Sequence, residues 1–169
     1  YGDGVFRRGP GDAAWTATGI RGVLTTALLL DRVGSLFVGT VGGLIRSDDE
    51  GETMVVLPFV KNVGVNVLVE ADPYVFAGTP KGLYRSSDGG TSWEAANVGL
   101  RDLNVTALAR DGRGNVFAGT SAVRGGGTVY RSRNNGNLWT ALALPTDPAE
   151  VRTLVVGPGG ILYAGGFRL

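Results

Sequence analysis

The stretch LYRSSDGGTSW, from Leu83 to Trp93, sets Ser86, Asp88, Gly90, Ser92 and Trp93 within eight residues. A carboxylate flanked by hydroxyls could serve as a nucleophile or hold a divalent cation. The same residues suit a tight turn. Asp bonds backbone N–H groups two residues on, glycine adopts positive φ, and an indole packs beneath. Composition narrows the chemistry further. The 169 residues include no histidine and no cysteine. That removes Ser-His-Asp and Cys-His catalysis, histidine-based zinc sites, disulfides and thiolate chemistry, and leaves the redox compartment open.

Repetition decides between site and turn. VFAGT at 75–79 recurs at 116–120, as LFVGT at 36–40 and as LYAGG at 162–166, at spacings of 39, 41 and 46 residues. In phase with it, nine residues separate Tyr84 from Trp93, Tyr130 from Trp139, Ile45 from Met54 and Phe6 from Trp15. A repeat of about forty residues is the signature of stacked structural units. The motif belongs to the repeat, so a lone catalytic aspartate is the weaker reading.

Each unit reads as four short strands. In one unit these are VNVLVEA (65–71), YVFAGT (74–79), GLYRSS (82–87) and SWEAAN (92–97), joined by Gly-, Pro-, Asp- and Asn-rich turns. The 29 glycines, scattered without a period of three, fit such turns and exclude collagen. The expected fold is all-β: a β-propeller of four-stranded antiparallel blades, four per chain, with one blade split between the termini. Its blades would be 151–169 plus 1–18, then 23–60, 64–97 and 104–144. A four-bladed ring closed within one chain is the simplest expectation. A head-to-tail dimer completing the split blade across chains is its competitor.

SSDGGTSW (86–93) resembles the Asp-box of the BNR family, Ser-x-Asp-x-Gly-x-Thr/Ser-Trp, through Ser86, Asp88, Gly90, Ser92 and Trp93. SRNNGNLW (132–139) keeps Ser132, Gly136 and Trp139, with Asn134 for Asp. SDDEGETM (47–54) keeps Ser47, Asp49, Gly51 and Thr53, with Met54 for Trp, and RGPGDAAW (8–15) keeps little beyond Trp15. The resemblance covers the whole chain as a repeat architecture. It implies a structural hairpin between the third and fourth strands, with a calcium or catalytic role as the alternative.

Binding residues are expected at the opposite end of the sheets. Arg21, Lys61 and Arg101 each lie seven residues before the aligned leucines Leu28, Leu68 and Leu108; the fourth unit has Asp147 there, with Arg152 nearby. Lys81, Arg124 and Arg168 join them from the second-to-third strand loops, the longest of which is SAVRGGGT at 121–128. Such a rim suits carboxylates or an acidic partner, and cations that merely solvate a surface are the plainer reading.

The net charge of +1 offers no electrostatic case for nucleic acid, and no apolar run is long enough to span a membrane. Beginning at Tyr1, the chain reads as a processed piece, with an extracytoplasmic (periplasmic or secreted) location expected. Asp-box propellers resemble three functional groups. Sialidases carry an F/Y-R-I-P segment, from which VFRRGP (5–10) departs. Xyloglucanase-like endoglucanases pair two carboxylates, for which Asp3, Asp102, Asp147 and Glu150 are the available acids. Sortilin-like and photosystem II assembly-factor-like propellers bind proteins. The FAGT…GLYRSSDGGTSW repeat is most similar to the last group. The expected function is a non-catalytic protein-interaction or assembly scaffold without cofactor or metal. A glycoside hydrolase or sugar-binding lectin is the alternative.

Overall fold

The computed structural model describes residues 3–59, 62–122, 127–145 and 150–167. β1 (Phe6–Arg7) and β2 (Thr16–Ala17) form an N-terminal hairpin. Sheet I holds β3 (Thr25–Leu30), β4 (Leu36–Thr40), β5 (Gly43–Ser47) and β6 (Val55–Val56). Sheet II holds β7 (Val67–Ala71), β8 (Tyr74–Thr79), β9 (Gly82–Ser86) and β10 (Glu94–Ala95). Sheet III holds β11 (Val105–Arg110), β12 (Val116–Thr120), β13 (Val129–Ser132) and β14 (Thr140–Leu142). β15 (Glu150–Val156) and β16 (Leu162–Phe167) form a C-terminal hairpin. Each strand pairs antiparallel with its neighbour in sequence, giving the up-and-down sheets of a β-propeller.

The second strands are buried along most of their length because each lies mid-sheet with another layer on both faces. Their apolar residues form one core per junction. Phe37 and Leu44 meet Leu68 and Val75 between sheets I and II. Phe76 and Leu83 meet Leu108 and Val116 between II and III. Phe117 and Val129 meet Val151 and Leu154 between III and the C-terminal hairpin. Val5 and Ile20, flanking the N-terminal hairpin, pack on Val38 and Ile45 of sheet I.

Backbone approach fixes the spacing of these layers. A Cβ on Gly39, Gly78 or Gly119 would meet Val65, Val105 or Val151 of the next layer at 3.0, 2.7 and 2.6 Å. The GT of each repeat is therefore a packing requirement rather than a turn signal. Beside each contact a side chain fastens consecutive layers. Thr26 Oγ1 donates to Val65 O, Asn66 Nδ2 to Val105 O at 2.8 Å, and Thr106 Oγ1 to Val151 O at 2.6 Å.

The fourth unit is present as its two halves, and among the described residues no ladder joins β16 to β1. Each hairpin buries its apolar side against its own neighbour in sequence.

Candidate functional site

The turns between third and fourth strands are closed hydrogen-bond networks. In sheet II, Ser86 Oγ donates to Asp88 Oδ1 at 2.8 Å and accepts from Gly90 N at 2.8 Å. Asp88 then accepts from Ser92 N at 2.9 Å and Ser92 Oγ at 2.6 Å. Sheet I repeats this with Ser47, Asp49, Gly51 and Thr53 at 2.6–2.9 Å. In sheet III, Ser132 Oγ donates to Asn134 Oδ1, which also accepts from Leu138 N, while Gly136 N donates to Ser132 Oγ. Gly51, Gly90 and Gly136 sit at φ of 88°, 89° and 81°, where a side chain would be strained. The N-terminal copy differs: Asp12 Oδ2 accepts from Gly9 N at 2.7 Å.

These bonds act on the carboxylates. Hydroxyl and backbone donation from Thr53, then the Ser47 hydroxyl, hold Asp49 at about 2, below its ordinary 3.8. Ser92 and Ser86 hold Asp88 at about 2 in the same way. A carboxylate committed to three such bonds is a poor nucleophile and a poor general acid at neutral pH.

The box tryptophans part company. Trp139 is buried and donates Nε1–H to Ala96 O of sheet II at 2.8 Å. Trp93 bonds Gly90 O of its own turn at 3.1 Å and stands edge-on to Phe59 at 5.1 Å. Trp15 is 67% exposed.

A feature that sequence reasoning passed over lies one residue before each box. Arg7 Nη1 donates to Glu50 O at 3.0 Å, Arg46 Nη1 to Gly89 O at 2.6 Å, and Arg85 Nη1 to Asn135 O. Each of these three arginines thus grips the turn of the following sheet. The signal was available in the sequence, because Arg7, Arg46, Arg85 and Arg131 occupy one repeat position.

Of the expected rim, Arg21, Lys81 and Arg101 are exposed at the end of the sheets opposite the box turns. Arg21 Nε donates to Thr18 O at 3.0 Å, and no ion pair joins these three cations to a carboxylate of the described residues. Arg152 takes the place of Thr26, Asn66 and Thr106 on its strand and pairs with Glu150 at 3.0 Å. Lys61, Arg124, Arg168 and Asp147 lie outside the described residues. Asp3 is exposed and Asp102 half-buried, and among the described residues no three potential ligands cluster to hold a metal.

No protein-family model matches the sequence, and no curated protein matches it. Solved structures do. The extracellular domain of BT4673 from B. thetaiotaomicron aligns with a TM-score of 0.75 and 17% identity, over 97% of this chain and 24% of that one. The GH74 xyloglucanase from Xanthomonas campestris gives 0.72 and 22%, over 84% and 26%. YCF48 bound to D1 peptide gives 0.63 and 14%, over 92% and 52%. The likeness is one of fold. The chain spans about a quarter of the first two structures and about half of the third. Among the described residues, no helix is long and apolar enough to cross a membrane.

Proposed function

We propose that this chain is a non-catalytic protein-interaction module of the Asp-box type, working outside the cytoplasm. Its partner is an acidic polypeptide bound at the sheet end that carries Arg21, Lys81 and Arg101. The observation behind this reading is that these three exposed cations share one end of the sheets without carboxylate partners among the described residues. Guanidinium and ammonium groups left in water are available to an incoming carboxylate. The YCF48 structure, bound to a peptide, supports a polypeptide ligand by analogy of fold. By their sequence positions, Lys61, Arg124 and Arg168 would extend the same rim.

The glycoside-hydrolase reading draws on the xyloglucanase likeness and needs a working pair of carboxylates. One experiment separates the two. The chain is titrated with an acidic peptide library at low and high salt and assayed against a xyloglucan panel. Binding that weakens with salt and with Lys81→Glu plus Arg101→Glu supports the interaction module. Turnover lost on Asp3→Asn or Asp102→Asn overturns it.

A further inference from the structure

The junction between sheets II and III joins two complete four-stranded units. Two side-chain amides meet there, at the sheet end opposite the turns between third and fourth strands. Asn66 stands one residue before β7 and Asn104 one residue before β11, and both are half-buried. Asn66 Nδ2 donates to Val105 O at 2.8 Å and to Asn104 Oδ1 at 3.3 Å, which commits both of its N–H groups. Asn66 Oδ1 and Asn104 Nδ2 have no hydrogen-bond partner among the described residues.

The fold does not require these amides. Thr26 and Thr106 occupy the place of Asn66 in their own sheets and fasten the layers with a hydroxyl alone. Gly64 precedes Val65 as Asn104 precedes Val105, so a residue without a side chain serves at that place. Neighbouring threonines are satisfied within their own turns. Thr40 Oγ1 donates to Gly43 O and accepts from Gly42 N, and Thr79 Oγ1 treats Gly82 O and Lys81 N in the same way. The leftover amide groups are confined to the two asparagines of one junction.

An unpaired amide oxygen beside an unpaired amide nitrogen complements one peptide group, which offers an N–H and a C=O. The charges nearby state what that peptide carries. Asn66 N donates to Gly78 O at 2.8 Å, and the turn that follows Gly78 holds the exposed Lys81 on the sheet II side. Arg101, also exposed, stands three residues before Asn104, its backbone N–H donating to Tyr130 Oη of sheet III at 3.2 Å. Neither cation has a carboxylate partner among the described residues.

We infer that Asn66 and Asn104 hold one peptide group of an extended acidic segment. Asn66 Oδ1 accepts its N–H and Asn104 Nδ2 donates to its C=O, while Lys81 and Arg101 take carboxylates on the two sides. This rests on the interaction reading above and adds an uncharged contact to the backbone of the partner. The cations select acidic side chains, and the amides select a polypeptide over other polyanions.

The probe is an end-blocked hexaglutamate peptide, alongside its counterpart methylated at every backbone nitrogen. Calorimetric titration of the native chain is compared with Asn66→Thr, Asn104→Ala and Lys81→Glu plus Arg101→Glu. Asn66→Thr restores the hydroxyl fastener of the other sheets, and an unchanged urea midpoint confirms that the layers stay joined. Each amide variant is expected to raise the dissociation constant of hexaglutamate roughly fivefold or more, with the salt dependence unchanged. The methylated peptide should bind the native chain more weakly than hexaglutamate by a similar factor, and Asn66→Thr should erase that difference. Salt-sensitive binding that is lost on reversing Lys81 and Arg101, yet is indifferent to both amide variants and to methylation, overturns this inference and leaves the rim standing. No binding of hexaglutamate to the native chain at low salt overturns both.

Discussion

Arg85 on β9 bonds Asn135 O through Nη1 and Asn137 Oδ1 through Nη2, the latter at 2.7 Å, in the box turn of the following sheet. Its guanidinium also lies over the Tyr74 ring at 4.7 Å and pairs with Glu94 at 2.7 Å. One buried side chain therefore couples a third strand, a second strand and the next sheet's turn. Arg46 and Arg7 repeat the forward grip from progressively more exposed positions.

That gradient is measurable. Arg85→Ala leaves the turn carbonyl unpaired and is expected to cost roughly 3 kcal/mol, since hydrogen bonds to charged groups contribute about 1.5–3 kcal/mol each. Arg46→Ala should cost less and Arg7→Ala least, because solvent replaces more of what is lost. Urea unfolding of the three variants gives the order directly.

The box tryptophans should also separate. Trp139→Ala removes a buried indole and its bond to Ala96 O, and is expected to cost about 3–5 kcal/mol. Trp15→Ala, at a mostly exposed ring, should change stability by less than about 0.5 kcal/mol. Equal losses at the two positions in thermal or urea melts would contradict this packing.

Acid should loosen the box turns. Asp49 and Asp88 bind their protons with pKa values of about 2 in the fold, against an ordinary 3.8. A depressed folded value means stability that is present above pH 4 and lost as pH falls through 4 toward 2. Asp88→Asn should reduce the steepness of that acid loss, because the amide does not titrate. Stability measured by urea at pH 2–5 checks the slope, and an unchanged slope would remove Asp88 from the account.

The repeat and the turns between third and fourth strands were legible because both are local. A nine-residue interval and a Ser-x-Asp-x-Gly spacing can be read without knowing what packs where. Relations between units were not legible in that way. Leu28 and Leu68 occupy the same repeat position, yet Leu68 is buried under sheet I and Leu28 faces solvent. Nothing in either leucine records which neighbour covers it. The arginine grip escaped notice for the related reason that its acceptors are backbone carbonyls of another unit, which any sequence supplies. Strand order alone is enough to assign Arg21, Lys81 and Arg101 to one end of the sheets, while what they bind leaves no local mark in the sequence.

The same contrast gives a paired substitution. Leu68→Ala should cost about 2–5 kcal/mol in the unfolding of a single chain. Leu28→Ala should leave that unfolding nearly unchanged, because its side chain is exposed. Urea melts of the two variants give the contrast directly.

The central claim is that an acidic polypeptide binds the sheet end that carries Arg21, Lys81 and Arg101, and titration with an acidic peptide at two salt concentrations tests it most directly. The account predicts binding that weakens as salt rises and is lost on Lys81→Glu plus Arg101→Glu. Binding that neither salt nor those substitutions change would contradict it.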